Sequence, residues 1–425
     1  MSQIVPPILS VAPIRALVDE TFKVLVDNLS PGSPVTVHAL HHSEDQDYWE
    51  AYGHYISDHR GRVSVSDDMS FGGTYTGKEA MGLLWSMRPV PGSRTGLRLR
   101  KMNVSTPMLV QISVYRGHDF RDQTPLASVL TERWYMAPGV QRIEINEDGV
   151  RGTLFIPPGP GPFPGLMDMW GGGGGLLEYR AALLASRGFA CLALEYFKPG
   201  ELSSVDLEFK YFEKGFNIVK DHPKVMPDKV GLFGLSLGSS VTMYLAAESK
   251  VVEPRCCVCV NGNHGFGISV REGYIQMEKT LHKARVDENN ASIWRDVVLQ
   301  ILNDSSLKLD MGKVKCPLML VSGVDDQNTP AVEVAEDISQ MMRAAGNEHL
   351  LTRLDYPDAG HLIEPPFSPH FRATNFIVHG KGEKKILLWG GQTKPHSDAQ
   401  EDSWRKMLTF LRLHLCGDAS PKAKL

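Results

Sequence analysis

The segment Gly234-Leu-Ser236-Leu-Gly238 restricts the possible fold of this chain more than any other part of the sequence. Residues 230–235 before the serine form an apolar run typical of a buried strand, and residues 238–249 after it have a helical pattern. A serine in this setting lies on a sharp strand-to-helix turn, which only small residues two positions away on each side allow. The segment therefore predicts an α/β domain with Ser236 exposed at the carboxyl edge of its sheet.

Strand-like and helix-like segments alternate on both sides of this turn, from residue 141 to residue 415. Residues 143–145 and 153–156 predict a hairpin that leads into the domain. Further strands are expected at 166–170, 189–196, 230–235, 256–260 and 318–322, and helices at 176–187, 205–222 and 238–249. This alternation predicts a mainly parallel sheet with helices on both faces.

Residues 1–140 have a different pattern, with short runs in which apolar and polar residues alternate. The apolar positions are Val35, Val37 and Ala39; Val63 and Val65; Leu97 and Leu99; and Val110, Ile112 and Val114. Runs of this period, bounded by Gly, Pro, Ser or Asp, predict an antiparallel, immunoglobulin-like β-sandwich. Residues 416–425 are polar and are expected to form a flexible tail.

A serine hydroxyl needs a base to remove its proton, and in this arrangement an acid and then a histidine follow the serine along the chain. The loop after the strand at 318–322 contains Asp325 and Asp326, and Asp326 is the preferred candidate because it lies deeper in that loop. His361 follows a strand-like segment and a glycine, so it is expected on a loop after the last strands, where the general base of such a domain lies. His370 and His396 remain alternatives among the 15 histidines.

The segment Trp170-Gly-Gly-Gly-Gly-Gly175 is placed to supply the second donor to an oxyanion. Glycines let backbone N–H groups approach a substrate closely. We expect the N–H of Leu237 to act together with that of Gly172 or Gly173. The same run could begin a dinucleotide site, but Glu195 is the only acidic residue near the position where the ribose would need one.

Composition excludes several other classes of protein. The formal net charge of −4 does not suggest a nucleic-acid partner, and no apolar run is long enough to predict a membrane span. The first residues lack the basic segment of a secretory signal. Cys256, Cys257 and Cys259 lie in an apolar run that predicts a buried strand rather than a metal site. We expect no cofactor and no metal.

Several further motifs occur in order along the chain. They are Gly72-Gly-Thr-Tyr-Thr-Gly77, Met81-Gly-Leu-Leu-Trp85, Gly161-Pro-Phe-Pro-Gly165, Gly173-Gly-Gly-Leu-Leu-Glu-Tyr-Arg180, Gly360-His-Leu-Ile-Glu-Pro-Pro366 and Trp389-Gly-Gly391. Together with the serine motif, they resemble the type I acyl-CoA thioesterase family, which includes bile acid-CoA:amino acid N-acyltransferase. The agreement covers most of residues 15–415 and is weakest at 263–312.

This resemblance implies an N-terminal β-sandwich, a C-terminal α/β-hydrolase domain and a triad of Ser236, Asp326 and His361. It implies an acyl-CoA substrate, hydrolysed to fatty acid and CoA. The alternative is transfer of the acyl group to glycine or taurine, but the transferase usually has cysteine where this chain has Ser236. An unrelated esterase or peptidase of this fold, and a member without catalysis, are further hypotheses.

The end of the sequence, Ala423-Lys424-Leu425, is a close variant of the peroxisomal signal Ser-Lys-Leu. It predicts binding to the peroxisomal import receptor, with a cytoplasmic location as the alternative. Arg98, Arg100 and Lys101 could contact the phosphates of CoA, but the sequence favours a solvated strand face as their explanation.

Overall fold

The structure is a computed structural model that describes residues 5–198, 202, 208–265, 272, 276, 277, 279–378 and 382–417. The chain divides into two units. The first comprises Met1–Tyr135 and Glu364–His370, and the second comprises Met136–Ile363 and Phe371–Leu425. The division after Tyr135 lies close to the boundary expected at residue 140. The segment Glu364–His370 interrupts the second unit in sequence, and no local sequence pattern predicted this.

The larger sheet of the first unit has six strands in the order β2-β9-β8-β4-β5-β7. All of its pairs are antiparallel except β2 with β9, which is parallel. The alternating residues Val35, Val37 and Ala39 of β4 are at most 1% exposed, as a core-facing row should be. The strands are β2 (Arg15–Leu17), β4 (Pro34–His42), β5 (Tyr48–Ile56), β7 (Arg88–Pro89), β8 (Met108–Arg116) and β9 (Ala127–Trp134).

The smaller sheet of this unit has the order β1-β3-β6, formed by β1 (Ile8–Ala12), β3 (Lys23–Asp27) and β6 (Val63–Ser64). The short helix α1 (Gly82–Trp85) is buried throughout. The strand expected around Leu97 and Leu99 is absent, so that prediction was wrong. Gly96 has a φ of +73°, and a turn at this position prevents the extended backbone that the alternation suggested.

The main sheet of the second unit has eight strands in the order β10-β11-β13-β12-β14-β15-β18-β19. The predicted hairpin is present as the antiparallel pair β10 and β11. The six neighbouring strands β13-β12-β14-β15-β18-β19 are parallel to one another. The strands are β10 (Gln141–Glu147), β11 (Val150–Ile156), β12 (Phe163–Met169), β13 (Ala190–Leu194), β14 (Val225–Leu235), β15 (Cys257–Val260), β18 (Leu318–Gly323) and β19 (Leu351–Tyr356).

Helices of the second unit include α2 (Tyr179–Ser186), α3 (Phe209–Lys220), α4 (Leu237–Ala247), α5 (Arg295–Leu302), α6 (Ala331–Ala344) and α7 (Thr393–Cys416). Helix α3 buries Phe212, Phe216 and Val219 on one face, at the spacing that the sequence predicted. Side chains from α3, α4 and α6 pack with the central strands in one apolar core. Because both faces of these strands are covered, they have apolar residues at nearly every position.

A second, smaller sheet completes this unit, with the order β16-β17-β21-β20. Its strands are β16 (Arg285–Val286), β17 (Ser292–Ile293), β20 (Ala373–Val378) and β21 (Glu383–Leu388). The predicted fold class is confirmed: an α/β-hydrolase domain and a mainly antiparallel β domain. Within the described ranges, no helix combines the length and the apolar character that crossing a membrane requires.

Candidate active site

Ser236 is the residue at which β14 turns into α4. Its φ of +55° lies in the left-handed region, which a residue with a side chain rarely adopts. The flanking glycines make this turn possible. A Cβ on Gly234 would lie 2.3 Å from the backbone of Gly238, and a Cβ on Gly238 would lie 2.4 Å from the carbonyl oxygen of Met169. The backbones therefore approach so closely that only glycine fits at either position.

The end of β15 connects the serine turn to the loop that contains His361. Ser236 N–H donates to the carbonyl of Val260 at 2.8 Å. The next residue, Asn261, uses its side-chain amide to donate to the carbonyls of His361 at 2.7 Å and Gly360 at 3.2 Å. Its Oδ1 accepts from the N–H of Gly323 at the end of β18. Ser236 and His361 thus lie at the same carboxyl edge of the sheet, where open α/β sheets bind their ligands.

Asp326 and His361 form a buried hydrogen-bonded pair. The Nδ1 of His361 lies 2.7 Å from Asp326 Oδ2, and each side chain is about 1% exposed. The other oxygen, Oδ1, accepts the backbone N–H groups of Asn328 and Thr329, both at 2.8 Å. These bonds fix the orientation of the carboxylate against His361. A carboxylate only accepts hydrogen bonds, so the proton lies on Nδ1 and Nε2 is left as the basic nitrogen.

The neighbouring Asp325 has a different environment. Its carboxylate accepts the N–H of Gly391 at 2.8 Å and the side-chain amide of Gln327 at 2.8 Å, and it lies 3.5 Å from Arg372. The structure therefore places Asp326, rather than Asp325, against His361. Asp325 instead connects its own loop to the segment that follows β21.

The alternative histidines do not occupy this position. His396 is buried, with Nδ1 accepting the N–H of Gly360 and Nε2 donating to the carbonyl of Leu362. It therefore supports the loop on both sides of His361. His370 belongs to the first unit. Trp389, which the sequence analysis gave no role, stacks on His361 with ring centres 5.5 Å apart and accepts its backbone N–H at 2.9 Å.

The glycine-rich segment approaches Ser236 through its first member. A Cβ built on Gly171 would lie 3.5 Å from Ser236 Cβ and 3.8 Å from Ser236 Oγ. Gly173 lies nearer to Phe376, which a Cβ would meet at 3.6 Å, and Gly172 follows Gly171 in the same segment. Leu237 is the first residue of α4, so its N–H lies at the helix N-terminus beside the serine. Gly171 could have been found by its position directly after the strand and Trp170.

The backbone before Gly171 is held by a buried ion pair. Arg180 Nε donates to Asp168 Oδ1 at 2.7 Å, and its Nη2 donates to the carbonyl of Met169 at 3.0 Å. The guanidinium lies between two rings, 4.0 Å from the centre of Trp170 and 4.2 Å from that of Phe233. Burial raises the pKa of the Asp168 carboxyl, and the charge of Arg180 opposes that rise.

Hydrogen bonds also fix the carbonyl of Trp170, and so they fix the backbone at the start of the glycine-rich segment. It accepts the N–H of Gly238 at 2.9 Å and the hydroxyl of Tyr196. The two carbonyls before Gly171 therefore both have fixed partners, one in α2 and the others in α4 and the segment after β13. This network sets the position of the backbone next to Ser236.

The other sequence candidates have structural surroundings. Glu195 pairs with Arg151 at 3.0 Å. Cys256, Cys257 and Cys259 are at most 1% exposed, and burial raises the pKa of each thiol. In the part of the chain that the structure describes, no group of three or more His, Cys, Asp or Glu side chains could hold a metal ion. The tail at 418–425, with the predicted peroxisomal signal, lies outside the described residues.

Two family models match the chain. Residues 19–147 match "Acyl-CoA thioester hydrolase/BAAT N-terminal region", and residues 205–417 match "BAAT / Acyl-CoA thioester hydrolase C terminal". The chain is also similar to solved hydrolases. A thermophilic esterase of Thermogutta terrifontis is 16% identical and has a TM-score of 0.40, with 68% of this chain and 96% of the esterase covered.

Curated relatives match over nearly the full length. Peroxisomal succinyl-coenzyme A thioesterase of Mus musculus is 37% identical, with 96% of each chain covered. Bile acid-CoA:amino acid N-acyltransferase of Mus musculus is 35% identical, with 97% of this chain and 99% of that protein covered. Acyl-coenzyme A thioesterase 1 of Homo sapiens is 34% identical, with 95% of each covered.

Proposed function

Because this chain belongs to the family of acyl-CoA thioester hydrolases and bile acid-CoA:amino acid N-acyltransferases, we propose that it hydrolyses fatty acyl-CoA through an acyl-enzyme on Ser236. One observation carries this proposal. Ser236 lies on a strained turn, at the same sheet edge as the buried pair of Asp326 and His361. Relatives named acyl-CoA thioesterases support the thioester as the bond that is cleaved.

In the proposed reaction, His361 Nε2 takes the proton of Ser236 Oγ as this oxygen attacks the thioester carbonyl. The N–H of Leu237 and one N–H of the glycine-rich segment donate to the oxygen on which negative charge develops. Gly172 and Gly173 are the donors expected from sequence, and Gly171 joins them because it lies against Ser236. The carbon–sulfur bond breaks, and His361 gives its proton to the sulfur of CoA.

The acyl group then leaves Ser236 by hydrolysis. His361 removes a proton from water, the resulting hydroxide attacks the ester carbonyl, and the proton returns to Ser236 Oγ. An acyl group on serine is an oxygen ester, which reacts less readily with amines than a thioester on cysteine does. Ser236 therefore favours water over glycine or taurine as the acceptor.

Product analysis by mass spectrometry tests this proposal. Purified protein is incubated with fatty and bile acyl-CoAs of several chain lengths, with and without glycine and taurine. We expect free acid and CoA in equal amounts, with a yield that does not depend on the amine. Amide formed in proportion to the amine would assign the chain to the transferase branch, and no turnover on any substrate would reject both activities.

We also propose that the chain enters peroxisomes through Ala423-Lys424-Leu425. The name of one relative includes peroxisomal, whereas others are named mitochondrial, so the signal itself must be tested. A fluorescent protein fused to the N-terminus should enter peroxisomes, and deletion of the last three residues should leave it in the cytoplasm. An unchanged distribution after the deletion would contradict the signal.

A further inference from the structure

The first unit contains a cavity of about 490 Å³ that the proposed reaction does not use. It lies where β4 and β9 end and β8 begins, and residues 366–369 complete its wall. Its surface is mainly apolar, with contributions from Leu84, Met108 and Phe367. The volume lies in the range of cavities that enclose small organic ligands.

Arg133 in the wall of this cavity carries a buried charge. It is 1% exposed, and its Nη2 donates to the carbonyls of Pro13 at 2.7 Å and Ile14 at 3.3 Å. In the described ranges, Nε and Nη1 have no hydrogen-bond partner, and no carboxylate lies within 4 Å of the guanidinium. The ring of Phe22, 4.8 Å away, is a weak substitute for an anion.

Burial of this cation without a directly bonded counterion is unfavourable, and the pKa of Arg133 is lowered as a result. Burial lowers the pKa of Arg133 to about 10, against a smaller opposing attraction from Glu20. Its unpaired nitrogens are shielded from water, so the charge of Arg133 is screened less than that of a surface arginine. In the free protein, the buried positive charge of Arg133 is therefore unfavourable, and a bound anion would offset it.

The remaining charges of the wall do not supply that anion. Glu44 is the one acidic residue among the described residues of the wall, which also includes Arg100 and Lys101. Glu44 contacts Lys101 Nζ and accepts the backbone N–H of Met102 at 2.8 Å, so Lys101 already balances its charge. Burial lowers the pKa of His41 and favours its neutral form.

We propose that this cavity binds an amphipathic monocarboxylate, with the apolar chain in the cavity and the acid group next to Arg133. One buried unpaired cation suits one carboxylate better than the several phosphates of a CoA group. The acid released in the proposed reaction has this chemistry, so the cavity would bind the product of the proposed function. The binding itself does not depend on the identity of the reaction.

Isothermal titration of the full chain with decanoate and 1-decanol tests the proposal. We expect decanoate to bind, and decanol to bind at least tenfold more weakly because it lacks the charge. Arg133→Met should weaken decanoate binding at least tenfold, and Arg60→Met, at an exposed arginine of the same unit, should leave it unchanged. Met108→Trp, at a partly exposed position, should block the cavity and provides a second variant if Arg133→Met does not fold.

Equal decanoate affinity in Arg133→Met, Met108→Trp and Arg60→Met would overturn the proposal, because the ligand would then bind elsewhere. Equal affinity for decanol and decanoate would also overturn it. Acyl-CoA turnover is measured in the same preparations and should not change in Arg60→Met. Absence of turnover in the unmodified chain would remove the proposed function and leave the binding result as a separate finding.

Discussion

Among the residues that the structure describes, each unit buries one arginine almost completely, and the two side chains have opposite surroundings. Arg180 in the second unit pairs with Asp168 at 2.7 Å and lies between two aromatic rings. Arg133 in the first unit lies over one ring and has two carbonyl partners, and in the described residues its Nε and Nη1 have no hydrogen-bond partner; Glu20 attracts it only from a distance. The paired charge holds the backbone beside Ser236, whereas the unpaired charge lies beside a cavity. The buried cation with a counterion thus supports the structure, and the one without a directly bonded counterion is the basis of the proposed carboxylate site.

Ser236→Ala should have the largest effect, and it should affect acyl-CoA turnover without affecting the cavity of the first unit. Turnover of acyl-CoA should fall by about 10⁶-fold, since loss of the serine removes the proposed covalent step. Decanoate binding should persist, because Ser236 does not line the cavity. Steady-state kinetics and calorimetry on one preparation measure both quantities. If decanoate binding were lost together with turnover, the contrast between the two regions would disappear.

Arg180→Met should destabilise the protein by about 3–5 kcal/mol, because it leaves the Asp168 carboxylate buried without a counterion. Turnover per folded molecule should also fall, since the carbonyl of Met169 loses its donor next to Gly171. Urea unfolding and kcat measure the two effects. The double variant Asp168→Asn with Arg180→Met should recover part of the lost stability, and equal losses in the single and double variants would contradict the pairing.

The cost of Arg180→Met should depend on pH. Burial already raises the pKa of Asp168, and removal of Arg180 takes away the attraction that opposes this rise. A carboxyl whose folded pKa exceeds its unfolded value loses stability as pH increases between the two values. The free energy of unfolding that Arg180→Met loses should therefore become smaller as pH falls, by at most about 1.4 kcal/mol per pH unit. Unfolding from pH 4 to 8 tests this, and a flat profile would be the contrary result.

Arg133→Met should have the smallest effect and the opposite sign. Replacing a buried unpaired cation by an apolar side chain of similar length should leave stability unchanged or increase it by about 1 kcal/mol. Thermal unfolding of the ligand-free protein measures this change. A loss of several kcal/mol would show that the bonds to Pro13 and Ile14 outweigh the buried charge, and that Arg133 is structural like Arg180.

Local sequence patterns carried most of the information about the second unit. The serine turn requires glycines within two residues of Ser236, and apolar strands covered on both faces leave continuous runs, so both features were visible in the sequence. The first unit was less predictable. The segment at 97–99 alternates like a strand, but the turn at Gly96 prevents pairing, and nothing local indicated that residues 364–370 belong to this unit.

The finer geometry of the candidate site depends on contacts between distant segments. Asp325 and Asp326 are adjacent, and the sequence offered little to show which of the two carboxylates faces His361. Asn261 and Trp389 reach His361 from positions 100 and 28 residues away in the chain, through bonds that only the folded sheet creates. Gly171, which lies against Ser236, was passed over for two neighbours of the same residue type.

The composition of the cavity wall has a consequence for the order of events during synthesis on the ribosome. Most of the wall is translated by Tyr135, but residues 366–369 follow only after the 228 residues from 136 to 363. At typical elongation rates, this interval lasts roughly 10–50 s. During that time the cavity beside Arg133 lacks the part of its wall that residues 366–369 form. The first unit of a nascent chain therefore has an incomplete cavity wall, unlike that of the mature protein. Limited proteolysis of stalled chains that end before and after residue 370 should distinguish the two.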